Sequence, residues 1–308
     1  MTEPLKLTLG ISTNPLTKGL KEGRIVPEGV EATWVGAYNA GPASGLLLEG
    51  KLDAAEFSLS SLLMAADRGV RVVVLPIFLG RGFVQRGLWR RKDAGIDSPA
   101  DYAGKRVAVH RYNNSYGMWA RAMLAVDYGV DLRSIHWVTA REEPADEPSP
   151  TGVTIELVEG GHLDVLPKML QEGAIDGALE LYLFEEGRVV ERVFSDFRDQ
   201  EAAYYRRTGV FPIYHTLVLR AEAVEGSPWV YQSLIEAFRA SRRLAYEFMT
   251  EEEADEATWL ESVLDEDPYG YRLGSSERKA LDQLNQSLLR EGLLSAPVDI
   301  DGLFAARG

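Results

Sequence analysis

A run dominated by apolar and β-branched residues, at positions 70–78, is the strongest constraint on how this chain folds. Such a run is typical of a strand that is buried on both faces of a sheet. Strand patterns also occur at residues 5–11, 30–35 and 54–58, and short helical patterns separate them. Alternation of strands with helices predicts a layered α/β domain with a mostly parallel sheet.

The same alternation continues in the second third of the chain. Asn113, Asn114 and Ser115 precede an amphipathic pattern at residues 116–127, so we expect them to cap a helix that stops at Gly129. At 308 residues, the chain is long enough for two modest lobes. Further strands are expected at residues 106–110, 135–139, 174–179 and 211–219.

Composition narrows the classes of partner. With 33 Lys and Arg against 47 Asp and Glu, the formal net charge is −14, which disfavours nucleic acid and anionic membrane surfaces. An anionic ligand therefore needs a locally positive pocket. No cysteine is present, so disulfides, thiolate metal sites and a cysteine nucleophile are excluded. We see no secretory signal pattern and no apolar run of membrane-spanning length, and we expect a soluble, cytoplasmic protein.

Motifs for nucleotide, metal and serine-hydrolase chemistry do not occur in the sequence. There is no Walker A, HExxH or Gly-x-Ser-x-Gly pattern and no full dinucleotide fingerprint. His162 and Asp164 are closely spaced, but no third ligand is apparent near them, so we predict no metal site there.

Six stretches of the chain carry a resemblance to a known family. They are GRIVPEG at residues 23–29, AEFSLSS at 55–61, SPADYAGKRVAV at 98–109, residues 128–130 with 135–139, YYRRTGVFPIYHT at 204–216 and DPYG at 267–270. Through them the chain resembles the 4,5-dihydroxyphthalate decarboxylase family, whose members look like type II periplasmic binding proteins of the NMT1/THI5-like kind. The resemblance is spread over most of the chain.

The resemblance implies a two-lobed α/β fold like that of type II periplasmic binding proteins. Each lobe is then a mostly parallel sheet flanked by helices, with the cleft between the lobes. We place lobe 1 at residues 1–82 and 217–308, lobe 2 at 83–216, and the crossings near 80–87 and 209–216. Ligands of open α/β sheets bind beyond the carboxyl ends of the strands, and hinge closure is the expected motion.

The resemblance also implies an activity. We expect a carboxy-lyase of phthalate degradation that converts a hydroxylated aromatic dicarboxylate such as 4,5-dihydroxyphthalate to protocatechuate and CO2. A small anionic aromatic substrate is the expected partner, without a cofactor, and a loosely bound divalent cation is the open alternative. Residues 81–86 lack the second Arg and the His of the family's pattern, which leaves the particular aromatic acid open.

Two other functions stay open at this point. The chain could be a non-catalytic binding protein for a small aromatic acid, cytoplasmic or exported. It could also be another cytoplasmic enzyme of this fold, similar to those in the futalosine route to menaquinone. The oligomeric state is open as well, and a homo-oligomer is compatible with the sequence.

Three side chains are candidates for the proton donor in a decarboxylation, where a general acid contributes about 10²–10⁴-fold. His215, in the second crossing, comes first because an imidazole changes charge near neutral pH. The alternative for it is a buried histidine whose hydrogen bonds the backbone satisfies. His110 ends a predicted strand, and Glu180 follows another and could donate a proton if burial raises its pKa.

The predicted binding residues form three groups. Arginines of the first crossing could bind a carboxylate, and polar residues at two helix starts could bind an anion. Two aromatic side chains one helical turn apart could pack against the ring of the substrate. The alternatives are surface arginines, plain N-capping and core packing. The residues are Arg81, Arg86, Ser60, Ser61, Arg111, Asn113, Asn114, Ser115, Tyr116, Trp119 and, in the second crossing, Thr216.

Overall fold

The strands of the chain form two sheets. The computed structural model describes residues 3–36, 40–180 and 184–304. The first sheet consists of β1 (Leu5–Gly10), β2 (Val30–Trp34), β3 (Ala54–Ser58), β4 (Val72–Arg81) and β11 (Ile213–Arg220). Its strand order is β2-β1-β3-β11-β4. β1 is parallel to β2 and β3, whereas β11 is antiparallel to both of its neighbours.

The second sheet is built from the middle of the chain. It consists of β5 (Leu88–Arg91), β6 (Arg106–Val109), β7 (His136–Thr139), β8 (Thr154–Leu157), β9 (Gly177–Leu179) and β10 (Val190–Arg192). The strand order is β10-β5-β9-β6-β7-β8. The four strands from β9 to β8 are mutually parallel, and β5 is antiparallel to β9 and β10.

Helices connect and cover the strands, and the last part of the chain is helical. They are α1 (Pro15–Lys21), α2 (Ala40–Leu48), α3 (Leu59–Asp67), α4 (Ser115–Asp127), α5 (His162–Glu172), α6 (Phe197–Thr208), α7 (Trp229–Leu244), α8 (Glu251–Leu264), α9 (Ser275–Arg290) and α10 (Ile300–Leu303). Asn14 caps α1 by accepting the backbone N–H groups of Leu16 and Thr17, which turns the chain sharply after β1. Among the described helices, none is both long and apolar enough to cross a bilayer.

The chain leaves the first sheet after β4 and returns to it with β11. β4 ends at Arg81 and the second sheet starts with β5, while β11 runs back between β3 and β4. The predicted two-lobed α/β architecture is confirmed, and both sheets are mixed where the crossing strands join them. The domain limits at residues 82/83 and 216/217 stay a prediction, and the second of them falls inside β11.

The two sheets are held together on one side by α4. Its Trp119 is fully buried and donates its indole N–H to the carbonyl of Ile213 in β11 at 2.9 Å. Arg121 of the same helix pairs with Glu291, which follows α9, at 3.0 Å, with both side chains buried. Burying a large apolar side chain contributes about 1.5–3 kcal/mol, so these contacts firmly couple the lobes.

Candidate functional site

A glutamate and a histidine from neighbouring strands of the first sheet share a hydrogen bond. Glu56 lies in β3 and His215 in β11, with 2.7 Å between Glu56 Oε1 and His215 Nδ1. His215 is opposite Ser58 and Leu217 is opposite Glu56, so the two side chains are diagonal neighbours on one face. The side chain of Glu56 is 4% exposed and that of His215 is 32% exposed. The histidine is therefore the member of this pair that a ligand can reach.

Ser12, which follows β1, supplies the remaining partners of the carboxylate. It donates its backbone N–H at 2.9 Å and its hydroxyl at 2.5 Å to Glu56 Oε2. Burial alone would raise the pKa of Glu56, but hydrogen bonds from His215 and Ser12 outweigh burial and lower it. A carboxylate only accepts hydrogen bonds, so the shared proton lies on Nδ1 of His215. Nε2 is then the ring nitrogen that this hydrogen bond does not use.

Lys21 anchors the loop between β1 and α1. Its ammonium group donates to the carbonyl of Ile11 at 2.6 Å, the hydroxyl of Thr13 at 2.8 Å and the carbonyl of Gly36 at 3.2 Å. Burial lowers the pKa of Lys21, although the charge of Glu56 acts in the opposite direction. Three contacts use the three donors of an ammonium group, which makes Lys21 a support of the site.

Gly80 of β4 lies against the imidazole of His215. A Cβ at this position would be 3.0 Å from Nδ1 and 3.2 Å from Cγ of the ring. We expect Gly80→Ala to displace the ring and to lower turnover in the assay described below by up to about 10²-fold, because small misplacements of reacting groups are costly. Gly45→Ala is the control, since a Cβ there meets nothing within 4 Å. Unchanged turnover in Gly80→Ala would show that the ring position does not matter.

Three serine hydroxyls join the two sheets beside His215. Ser115, the first residue of α4, has its Oγ 2.9 Å from Ser58 Oγ and 3.1 Å from Ser60 Oγ, and it accepts the Ser60 N–H at 3.0 Å. Ser60 donates its hydroxyl to the carbonyl of Asn113 at 2.6 Å. The starts of α3 and α4 therefore meet where both sheets present the carboxyl ends of strands.

The other polar residues of these helix starts serve different contacts. Asn113 donates its amide to Glu147 Oε2 at 3.2 Å and to the carbonyl of Pro148 at 3.1 Å. Asn114 caps α4 by accepting a first-turn N–H at 2.6 Å. Ser61 is buried. Anion binding by these residues stays a prediction.

His110, Arg111 and Arg141 lie beyond the carboxyl ends of β6 and β7. Arg141 Nη1 is 3.1 Å from His110 Nε2. A guanidinium has no acceptor, so His110 Nε2 accepts this hydrogen bond and the ring keeps its proton on Nδ1. His110 Nε2 is thus engaged as an acceptor, and proton donation by His110 stays a prediction.

The two arginines of the first crossing form ion pairs with carboxylates of the protein. Arg81 Nη1 is 3.0 Å from Glu277 Oε1 and donates to the carbonyl of Pro268 at 2.8 Å. Arg86 donates to both carboxylate oxygens of Glu201, at 2.8 and 2.6 Å. Substrate binding by Arg81 and Arg86 stays a prediction from sequence, and the site assembled around His215 does not use it.

The remaining predicted residues are buried around the crossings. Tyr116 donates its hydroxyl to the carbonyl of Val84 at 2.9 Å, and Trp119 binds the backbone of β11. Thr216 donates to a carbonyl of β4 at 2.7 Å. Glu180 is also buried, and its backbone carbonyl accepts an indole N–H at 2.8 Å. Tyr116, Trp119 and Thr216 therefore make the contacts expected of packing residues.

Sequence reasoning did not single out Glu56, Ser12, Lys21 or Arg141. A signal for Glu56 was present, because it is a lone carboxylate inside β3, whose five residues are all buried. A buried charge requires partners, so such a position points to a hydrogen-bonded site. Within the described ranges, no group of three His, Asp or Glu side chains could hold a metal ion.

The chain is similar to a known protein family and to proteins of that family. The family model described as NMT1/THI5 like matches residues 26–252. The chain belongs to this family. A 4,5-dihydroxyphthalate decarboxylase of Comamonas testosteroni is 32% identical to this chain over 217 residues. The aligned part covers 67% of this chain and 65% of the Comamonas protein. The chain thus spans about two thirds of this relative's length, and the resemblance stated from sequence is confirmed.

Solved structures confirm the fold of this NMT1/THI5-like protein. The periplasmic aliphatic sulphonate binding protein of Escherichia coli matches with a TM-score of 0.61 at 13% identity, covering 99% of this chain and 93% of that one. A mutant of the desulfurization enzyme DSZB, in complex with biphenyl-2-sulfinic acid, matches with a TM-score of 0.57 at 16% identity, covering 97% and 96%. At these identities the likeness shows the fold alone.

Proposed function

We propose that this protein is a carboxy-lyase that removes one carboxylate from a hydroxylated aromatic dicarboxylate such as 4,5-dihydroxyphthalate. The observation that carries the proposal is the chain of hydrogen bonds Ser12–Glu56–His215, which holds a partly exposed imidazole of β11 beside the carboxyl end of β3. The name of the Comamonas relative supports the substrate and the reaction.

The proposed reaction replaces one carboxylate of the ring by one proton. The imidazolium of His215 gives its Nε2 proton to the ring carbon that bears the departing carboxylate, and the para hydroxyl supplies electron density to that carbon. The bond between ring and carboxylate then breaks, CO2 leaves, and the bonding electrons restore the aromatic ring. One substrate gives one protocatechuate and one CO2 without oxidation or reduction, and solvent returns the proton to His215.

Glu56 acts in this scheme as a positioning residue. As a carboxylate bonded to Nδ1, it holds the ring with Nε2 directed away from β3, and Ser12 holds the carboxylate in turn. This arrangement follows the logic by which a buried carboxylate fixes the tautomer and orientation of a catalytic histidine. The enzyme DSZB, which holds an aromatic acid, supports the idea that this fold can carry catalysis.

Incubation of the purified protein with 4,5-dihydroxyphthalate tests the proposal. We expect stoichiometric protocatechuate and CO2, and in D2O we expect one ring-bound deuterium per product molecule. Phthalate, which lacks the para hydroxyls, should give no benzoate. We expect no cofactor requirement, so chelator-treated protein should match protein supplied with a divalent metal ion.

The same experiment separates the proposal from a binding function. Saturable calorimetric binding of 4,5-dihydroxyphthalate without any product would favour a non-catalytic binding protein, the class of the Escherichia coli neighbour. Absence of both product and binding would contradict the proposed substrate. Product formed only with added metal would contradict the cofactor-free scheme.

A further inference from the structure

Two arginines lie side by side without a carboxylate partner at one edge of the second sheet. Within the part of the chain that the structure describes, neither Arg111 nor Arg141 forms an ion pair with an acidic side chain. Arg106 and Arg133, which lie towards the amino ends of the same strands β6 and β7, are both paired with carboxylates. In a chain of net charge −14, unpaired neighbouring guanidiniums indicate a place for an anion.

The backbone fixes the positions of these two arginines. β6 and β7 are parallel neighbours, so the residues that follow them emerge at the same edge of the sheet. Thr139 donates its hydroxyl to the carbonyls of His110 and Arg141, at 2.9 and 3.1 Å, and accepts the Arg141 N–H at 3.2 Å. The guanidinium of Arg141 is oriented further by its hydrogen bond to His110 Nε2. The subsite is therefore organised before a ligand arrives.

The electrostatics of this edge favour an anion. Burial lowers the pKa of Arg141, and the charge of Arg111 lowers it further. The acid that interacts with Arg111 is Glu143, whose own pKa burial raises despite that arginine. Glu143 Oε1 accepts the backbone N–H of Asn113 at 3.2 Å, and among the described residues it forms no ion pair with Arg111. An anion that binds between the two guanidiniums therefore relieves the repulsion between them.

We infer that Arg111 and Arg141 form the subsite for the carboxylate that stays on the ring, which makes the protein selective for aromatic dicarboxylates over monocarboxylates. The loop that begins at Arg111 ends at Ser115, which contacts Ser58, the strand neighbour of His215. The loop that carries Arg111 therefore adjoins the strand pair that carries His215. This inference rests on the proposed function for the identity of the ligand.

Calorimetric titration with phthalate tests the subsite without any turnover. We expect Arg141→Gln and Arg111→Gln each to weaken phthalate binding by about 10–100-fold, the range of a lost charge-assisted contact. Their preference for phthalate over benzoate should shrink accordingly. Arg141→Lys should fall between the unchanged protein and Arg141→Gln, because lysine keeps the charge but lacks the fork of donors.

Arg133→Gln is the matched control, since this exposed arginine lies at the opposite end of β7 and pairs with Asp131. It should bind phthalate like the unchanged protein, and thermal unfolding should show all variants folded. Unaltered phthalate binding in Arg141→Gln and Arg111→Gln would overturn the subsite, and so would absence of phthalate binding to the unchanged protein. Arginine-dependent phthalate binding without turnover of 4,5-dihydroxyphthalate would leave the subsite standing and remove the decarboxylase proposal.

Discussion

Replacement of His215 by asparagine is expected to lower kcat for 4,5-dihydroxyphthalate by about 10²–10⁴-fold, the contribution of a general acid. Asparagine can still donate a hydrogen bond towards Glu56 Oε1, so the buried carboxylate keeps a partner, but it cannot deliver a proton to the ring. Initial rates of protocatechuate formation at saturating substrate measure the effect. Thermal unfolding should be close to that of the unchanged protein.

The structure supplies a matched control for this substitution. His136 Nε2 is 2.8 Å from Glu156 Oε2, so it also forms a histidine–glutamate pair, but it lies at the amino end of β7. His136→Asn should leave kcat unchanged. Glu56→Gln should lower kcat, and its effect should not add to that of His215→Asn, since residues that act as a unit are non-additive. Full turnover by His215→Asn would remove the histidine from the mechanism.

Replacement of Arg81 by methionine is expected to destabilise the protein by about 3–5 kcal/mol, because it leaves the Glu277 carboxylate buried without its partner. Both side chains of this pair are 3% exposed. Urea-induced unfolding measures the free energy of unfolding. The slope of this free energy against urea concentration shows whether the two proteins expose the same surface when they unfold. Turnover per folded molecule should be nearly unchanged.

The double variant Arg81→Met with Glu277→Leu tests whether the loss of stability comes from the unpaired Glu277 carboxylate. Removing both charges of a buried pair is often neutral, so the double variant should recover much of the stability that Arg81→Met loses. Unchanged stability combined with lost turnover in Arg81→Met would instead place Arg81 in the cleft, as the sequence suggested. The measurement therefore decides between a structural and a substrate-binding arginine.

Much of the fold could be predicted because its central elements have strong local patterns. β3 matches the predicted strand, and α4 begins at Ser115, the last of the three residues predicted to cap it, with Asn114 as its N-cap. α6 was not predicted because its sequence, FRDQEAAYYRRT, shows little separation of apolar and polar faces. β10 lies at the edge of its sheet and has three residues, of which one is apolar. A strand of three residues is too short to show the alternation of apolar and polar side chains that identifies a strand in a sequence.

The site was harder to predict than the fold because its contacts join distant parts of the chain. His215 was singled out from the crossing segment, but its partner Glu56 is 159 positions away. Arg81 was assigned to ligand binding from its position, and its ion pair with Glu277 spans 196 positions. Local sequence patterns carry no information about pairings at such separations, so only the packed structure shows which charges are already compensated.

One fold can serve both binding and catalysis. We propose that the arginines beyond β6 and β7 bind an anionic ligand in either role. The Ser12–Glu56–His215 chain adds a group that can move a proton next to that ligand. In the proposed scheme, a carboxy-lyase differs from a binding protein of this fold by proton transfer from Nε2 of His215.

A single-turnover experiment separates the chemistry at His215 from substrate binding. Excess protein is mixed with 4,5-dihydroxyphthalate, quenched at intervals, and analysed for protocatechuate, which isolates the chemical step from product release. We predict complete conversion by the unchanged protein and, in His215→Asn, substrate binding of similar affinity with a rate constant at least about 10²-fold lower. Equal rate constants in the two proteins, or no conversion by either, would contradict the account.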